Sequence, residues 1–109
     1  MGTNEFAKGE KFSFNDRISY ADKAVVSKHV LKSEMGNITL FAFDKGEGLS
    51  EHTAPFDAVV SLVDGKAEIM VGGQSNILET GETIVIPANI PHAVKAVEAF
   101  KMVLTMIKN

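Results

Sequence analysis

The sequence predicts an all-β protein, a small barrel or sandwich, and three observations carry the prediction. Glycine recurs at Gly36, Gly46, Gly48, Gly65, Gly72, Gly73 and Gly81, cutting the chain into short segments. Those segments are β-branched or aromatic, and several alternate with the period of two expected of strands. From Asn37 onward six or seven such strands follow one another with turns at close spacing, which leaves no room for a long helix.

The N-terminal stretch "EKFSFNDRISYADKAVVSKHVLKSE" reads either as short strands around Lys11–Phe14 and Ala24–Lys32 or as a segment containing one helical turn. "NITLFAFDKG" predicts a strand from Asn37 to about Asp44. Ile38, Leu40 and Ala42 lie on one of its faces and Thr39, Phe41 and Phe43 on the other, so both faces should be covered. "FDAVVSLVDG" is a strand closed by Asp-Gly. "KAEIMVGGQSNILETG" reads as a hairpin, because Gly72 and Gly73 can supply the positive φ angles of a primed turn. Then come "ETIVIPANIPHAVKAVE" and "FKMVLTMIK"; in the latter Phe100, Met102, Leu104 and Met106 form the better core face, opposite Lys101, Val103, Thr105 and Ile107.

Composition bounds the function classes. One compact domain accounts for all 109 residues, 45% apolar and 23% charged, and at that size it buries roughly two-thirds of its unfolded surface without staples. Cysteine is absent, which excludes disulfides, thiolate metal sites and thiol nucleophiles and fits a reducing compartment. A net charge of -3, with Lys and Glu interspersed, shows no footprint for nucleic acid. Neither a signal peptide nor an apolar run of membrane-spanning length is visible, since Glu98, Lys101 and Thr105 interrupt the most apolar segment. These features predict a soluble, cytoplasmic protein with no nucleic-acid or membrane partner.

Two histidines sit in strand–turn contexts, His52 after the Gly-rich "DKGEGLSE" and His92 after "IPANIP". Here the sequence resembles the cupin family. That family's first motif runs Gly, five residues, His-x-His, three or four residues, Glu, six residues, Gly; its second runs Gly, five residues, Pro-x-Gly, two residues, His, three residues, Asn. Gly46, His52 and Gly65 fill the first frame, but Ala54 stands at the second histidine's position and Ala58 at the glutamate's. Gly81, Pro87 and His92 fill the second, with Asn89 for its second glycine and Ala96 for its asparagine. Asn tolerates a left-handed backbone better than other non-glycine residues. The resemblance runs from about Asn37 to Ile107, and two motifs in order and at the right spacing are a stronger signal than either alone.

The resemblance implies a jelly-roll β-barrel, the double-stranded β-helix, with residues 37–109 as barrel core and residues 1–36 as N-terminal strands completing the barrel or a dimer face. It also implies a homodimer, and apolar outward sets such as Val59 and Val63, or Val103 and Ile107, could serve that face or lie under the N-terminal strands. Activities in the family range over dioxygenases, decarboxylases, isomerases, sugar-nucleotide epimerases, storage proteins and ligand sensors, so the fold does not choose a function.

A catalytic zinc or iron site normally takes three protein ligands, and the motifs here supply two. The expectation is therefore no resident metal, with a divalent transition metal held weakly by His52 and His92 as the alternative. His29 lies between lysines in "VVSKHVLK" and reads as a surface residue. The two alanines open space and make the mouth more apolar while two imidazoles remain, the usual make-up of a small-molecule pocket. The predicted pocket is His52, Ala54, Phe56, Ala58 and His92; strand alternation puts His52, Ala54, Phe56, Ala58 and Val60 on one inward face, with Glu51 and Asp57 outward. No catalytic residue is assigned. A cupin enzyme of isomerase, epimerase, decarboxylase or dioxygenase type, acting on a small organic acid or sugar derivative through His52 and His92, is the alternative to a binding module.

Overall fold

A computed structural model of the protein describes residues 5–108. Nine strands follow a single 3₁₀ turn at Phe14–Asp16: β1 (Val25–Ser33), β2 (Gly36–Phe43), β3 (Gly48–His52), β4 (Asp57–Asp64), β5 (Lys66–Val71), β6 (Gln74–Glu79), β7 (Thr83–Ile86), β8 (His92–Ala96) and β9 (Phe100–Ile107). All pairings are antiparallel. They build a five-stranded sheet in the order β1-β2-β9-β4-β7 and a four-stranded sheet in the order β3-β8-β5-β6. Two facing antiparallel sheets joined by crossovers make the predicted jelly-roll barrel.

The alternation in β2 works as its sequence implies. Phe41 and Phe43 face the other sheet and join the main core with Phe100, Met102, Val60, Leu62 and Ile69. Phe43 and Phe100 are fully buried, their rings stacked at 4.5 Å and 7°. On the opposite face Leu40 and Ala42 join Val103 and Ile18 in a second cluster, with Phe6, Phe14, Val26, Ile38 and Val63 packed around it. The β5–β6 connection is the predicted tight turn, with φ of 57° at Gly72 and 82° at Gly73.

The N-terminal region departs from the strand expectation at Lys11–Phe14, where the helical-turn alternative is the one found. The local pattern of Phe12 and Phe14 about Ser13 mimics a strand, but β1 already occupies the free edge of β2. The segment instead crosses the outer face of the five-stranded sheet as a strap, with Phe6, Phe12 and Phe14 edge-to-face against one another. It covers Val63 and Val103, the second of the two alternatives given above for the outward apolar residues, and leaves Ile107 exposed. Residues 1–4 and 109 of the expected division lie outside the described range.

Polar clamps hold the strap. Lys28 Nζ donates to Glu5 at 2.7 Å and to the carbonyl of Arg17 at 2.8 Å, and the Tyr20 hydroxyl donates to Asp64. Burial, and then the Asp64 carboxylate beside it, push the Tyr20 phenol well above its ordinary range. Lys101 is 8% exposed and donates to the backbone and side-chain oxygens of Asn15 at 2.8 and 2.9 Å. A buried cation satisfied by neutral oxygens stabilises little, whereas stripping its acceptors strands the charge. Asn15→Ala removes the side-chain acceptor and leaves the backbone one, so it should cost about 1 kcal/mol in urea unfolding, and Lys101→Met less than that. A larger cost for Lys101→Met would show the lysine to be a net stabilising clamp.

Candidate functional site at the open end of the barrel

His52 ends β3 and His92 begins β8, and the register sets them opposite each other across the two strands. Facing residues in an antiparallel pair bring their side chains into contact, and the two rings lie 4.3 Å apart between centroids at 61°. The approach to each ring is the same. His52 Nδ1 lies 2.8 Å from the carbonyl oxygen of Ser50, and His92 Nδ1 lies 2.9 Å from that of Ile90, in each case two residues upstream. A carbonyl oxygen only accepts, so each Nδ1 carries a proton and donates it. The neutral ring then keeps its lone pair on Nε2, the tautomer that backbone carbonyls impose on metal-binding and catalytic histidines.

The loops that carry the pair are tied to one another. Asn89 takes the left-handed conformation, φ 64°, anticipated for its place in the second motif. Its N–H donates to the carbonyl of Ala54 at 2.8 Å, joining the turn before His92 to the loop after His52. Asp57 Oδ1 accepts from the Ala88 N–H at 2.9 Å and holds the same turn from β4. The Gly72 N–H reaches the Pro91 carbonyl at 2.8 Å. Asp57 is thus a positioning residue for the loop bearing His92.

Beneath the imidazoles is a cavity of about 30 Å³ lined by Leu49, His52, Val60, Ile86, His92, Val94, Met102 and Leu104. Its wall is apolar except for the two histidines, of which His92 is 9% exposed and His52 is exposed. The other predicted pocket residues, Ala54, Phe56 and Ala58, do not line it. Ala58 is buried in β4 between Ile86 and Met106. Ala54 and Phe56 belong to the loop between β3 and β4, and the Phe56 ring has the Lys108 ammonium 5.9 Å from its centroid. Strand parity cannot run from His52 to Val60, because β3 ends at His52 and β4 starts at Asp57. Inside β4 the parity holds: Ala58, Val60 and Leu62 are buried. Sequence reasoning missed Leu49, Ile86, Val94 and Leu104, whose only signal is the apolar alternation of their own strands.

The fold's customary metal does not fit these residues. Two Nε2 atoms are available, and the remaining motif positions are alanines with no donor to offer. Among the described residues no group of three or more His, Cys, Asp or Glu side chains is placed to hold a metal ion. What the pair can do is bind polar atoms. Neutral, the two Nε2 lone pairs accept hydrogen bonds from a ligand; protonated, the rings donate to an anion. Two imidazolium charges at this separation repel by about 1–4 kcal/mol, a cost that an anion between them offsets.

Among the described residues no helix is long and apolar enough to cross a membrane. A family model for the cupin domain matches residues 39–108, from β2 to just past the end of β9. A conserved protein of unknown function from Streptococcus pyogenes is similar in structure with a TM-score of 0.91 and 32% identity, over 96% of this chain and 92% of that one. A cupin superfamily protein from Desulfitobacterium hafniense gives a TM-score of 0.90 at 24% identity, over 96% of each chain. A cupin 2 conserved barrel domain protein from Leptotrichia buccalis is 40% identical with a TM-score of 0.86, over 89% of this chain and 47% of that one, so this chain spans about half its length. No curated protein matches the sequence. With two facing antiparallel sheets, the histidines of both motifs opposed at one end and a family match over most of its length, this chain belongs to the cupin family.

Proposed function

We propose that the protein is a small-molecule-binding cupin that takes a polar head group of its ligand between His52 and His92. One observation carries this: both imidazoles spend their Nδ1 protons on backbone carbonyls, leaving two Nε2 atoms beside an apolar cavity. A cavity of about 30 Å³ is far smaller than the roughly 300–1,000 Å³ of a pocket that encloses a whole small molecule, so it takes only a head group. The rest of the ligand lies in the mouth, framed by Ala54 and Phe56, with Ala58 contributing to its floor beside Ile86. The ligand class is a small organic acid or a hydroxylated derivative such as a sugar, since both present atoms that imidazole can accept from or donate to. The protein works in the cytoplasm, a location supported by its lack of cysteine, and pairs with a second copy of itself.

The same fixed tautomer also supports a second reading, an acid–base cupin enzyme, because an Nε2 lone pair can take a proton from a bound substrate. Calorimetric titration with acetate, lactate and glycerol separates these readings when paired with turnover assays on the same compounds. His52→Ala and His92→Ala should each weaken binding at least tenfold, a loss of about 1.4 kcal/mol. His52 is exposed, so its variant tests the site without burdening the fold. Unchanged affinity in both variants would remove the histidines from the function. A stoichiometric transition metal retained through dialysis would overturn the metal-free reading.

A further inference from the structure

The side-chain rows that floor the cavity continue beyond it. On the inner face of the five-stranded sheet one row runs Ile84, Val60, Leu104, Thr39, His29 across β7, β4, β9, β2 and β1. The adjacent row runs Ile86, Ala58, Met106, Asn37, Lys32 across the same strands. Val60, Leu104 and Ile86 line the cavity. Both rows are apolar through β9, become polar at β2 and end in a basic side chain at β1. The flanking lysines that mark His29 as a surface residue do not reveal that it shares a row with the cavity floor.

The polar step is connected but loosely held. Thr39 Oγ1 is 3.4 Å from His29 Nδ1 and 3.5 Å from Asn37 Oδ1, at or beyond the long end of hydrogen-bond range. Thr39 itself is 6% exposed, while His29 and Lys32 are exposed. The inner face thus sets a hydroxyl, an amide and two basic groups in register with the apolar floor of the cavity. Two strand spacings, about 10 Å, separate His29 from Leu104.

We propose that Asn37, Thr39, His29 and Lys32 form a second polar subsite, and that the ligand is an elongated organic acid with an anionic group at each end. Its head sits between His52 and His92, its apolar stem lies along Leu104 and Met106, and its tail meets His29 and Lys32. This rests on the head-group reading of the histidine pair given above. The test is calorimetric titration with the α,ω-dicarboxylates from succinate to azelate and the monocarboxylates of matching length. The best dicarboxylate should bind about tenfold more tightly than its monocarboxylate, and the double variant His29→Ala/Lys32→Ala should abolish that difference while leaving monocarboxylate affinity unchanged. Equal binding of the two series, with loss only on His52→Ala, would overturn the subsite and leave the head-group site standing. Failure of every acid to bind would overturn both.

Discussion

Phe100→Ala is expected to destabilise the protein by about 3–5 kcal/mol, a large share of the roughly 5–15 kcal/mol that holds a domain of this kind together. Phe100 is fully buried at the start of β9, stacked on Phe43, with Met102 next along the same face. Truncation removes the ring's burial, leaves a void in a close-packed interior and forfeits the ring–ring contact, worth about 0.5–1.5 kcal/mol by itself. The expected Tm falls by roughly 10 °C or more, and Phe100→Leu, which keeps most of the volume, should lose less than half as much. The same face of β9 supplies Met102 and Leu104 to the cavity wall, so relaxation into the void should also weaken ligand binding. A cost below about 1 kcal/mol in urea unfolding would mean that the sheets collapse around the gap, and that this stacked pair is not the centre of the core.

What could be read from the chain was what depends on neighbours in sequence. The double alternation in Asn37–Phe43 announced a strand with two covered faces, and the structure puts Phe41 and Phe43 in one cluster and Leu40 and Ala42 in another. Gly72-Gly73 announced its turn, and Asn89 its left-handed backbone. The two spaced motifs marked out Asn37–Ile107, close to the 39–108 that the family model matches. The limits were equally physical. Which strand faces which is set by long-range pairing, so the contributions of Leu49, Ile86, Val94 and Leu104 to the cavity are invisible until β3, β8, β4, β7 and β9 are in register. Alternation carries no phase across an irregular loop, and residues 53–56 interrupt the face predicted from His52 through Val60. The strap misled for the reverse reason: Phe12 and Phe14 alternate like a strand, but Phe14 is apolar because it packs on the outside of a sheet and Phe12 because it packs on Phe6 and Phe14.

Gly65→Ala should be the most damaging glycine substitution that a single methyl group can make here, and Gly81→Ala supplies its control. Both glycines have strongly positive φ, 88° and 91°. Placing alanine in that conformation costs about 1–2 kcal/mol wherever it occurs. At Gly81 a Cβ would meet nothing within 4 Å, so the cost ends there. At Gly65 a Cβ would overlap the carbonyl oxygen of Ala99 and lie 2.7 Å from both Cα and Cβ of Phe100. Two of those three atoms are backbone, so no side-chain rotation relieves the clash. Gly65 is where the chain leaves β4 in the five-stranded sheet for β5 in the four-stranded one, and Phe100 opens β9 in the core. Moving either segment unpacks the stacked phenylalanines, which adds a core penalty of about 1–3 kcal/mol to the backbone one. Gly81→Ala should therefore fold with a loss of about 1–2 kcal/mol. Gly65→Ala should lose at least twice that or accumulate as insoluble protein. Equal urea midpoints for the two variants would show that the β4–β5 crossover has slack, and that the closing glycine of the first motif is retained here for its backbone angle alone.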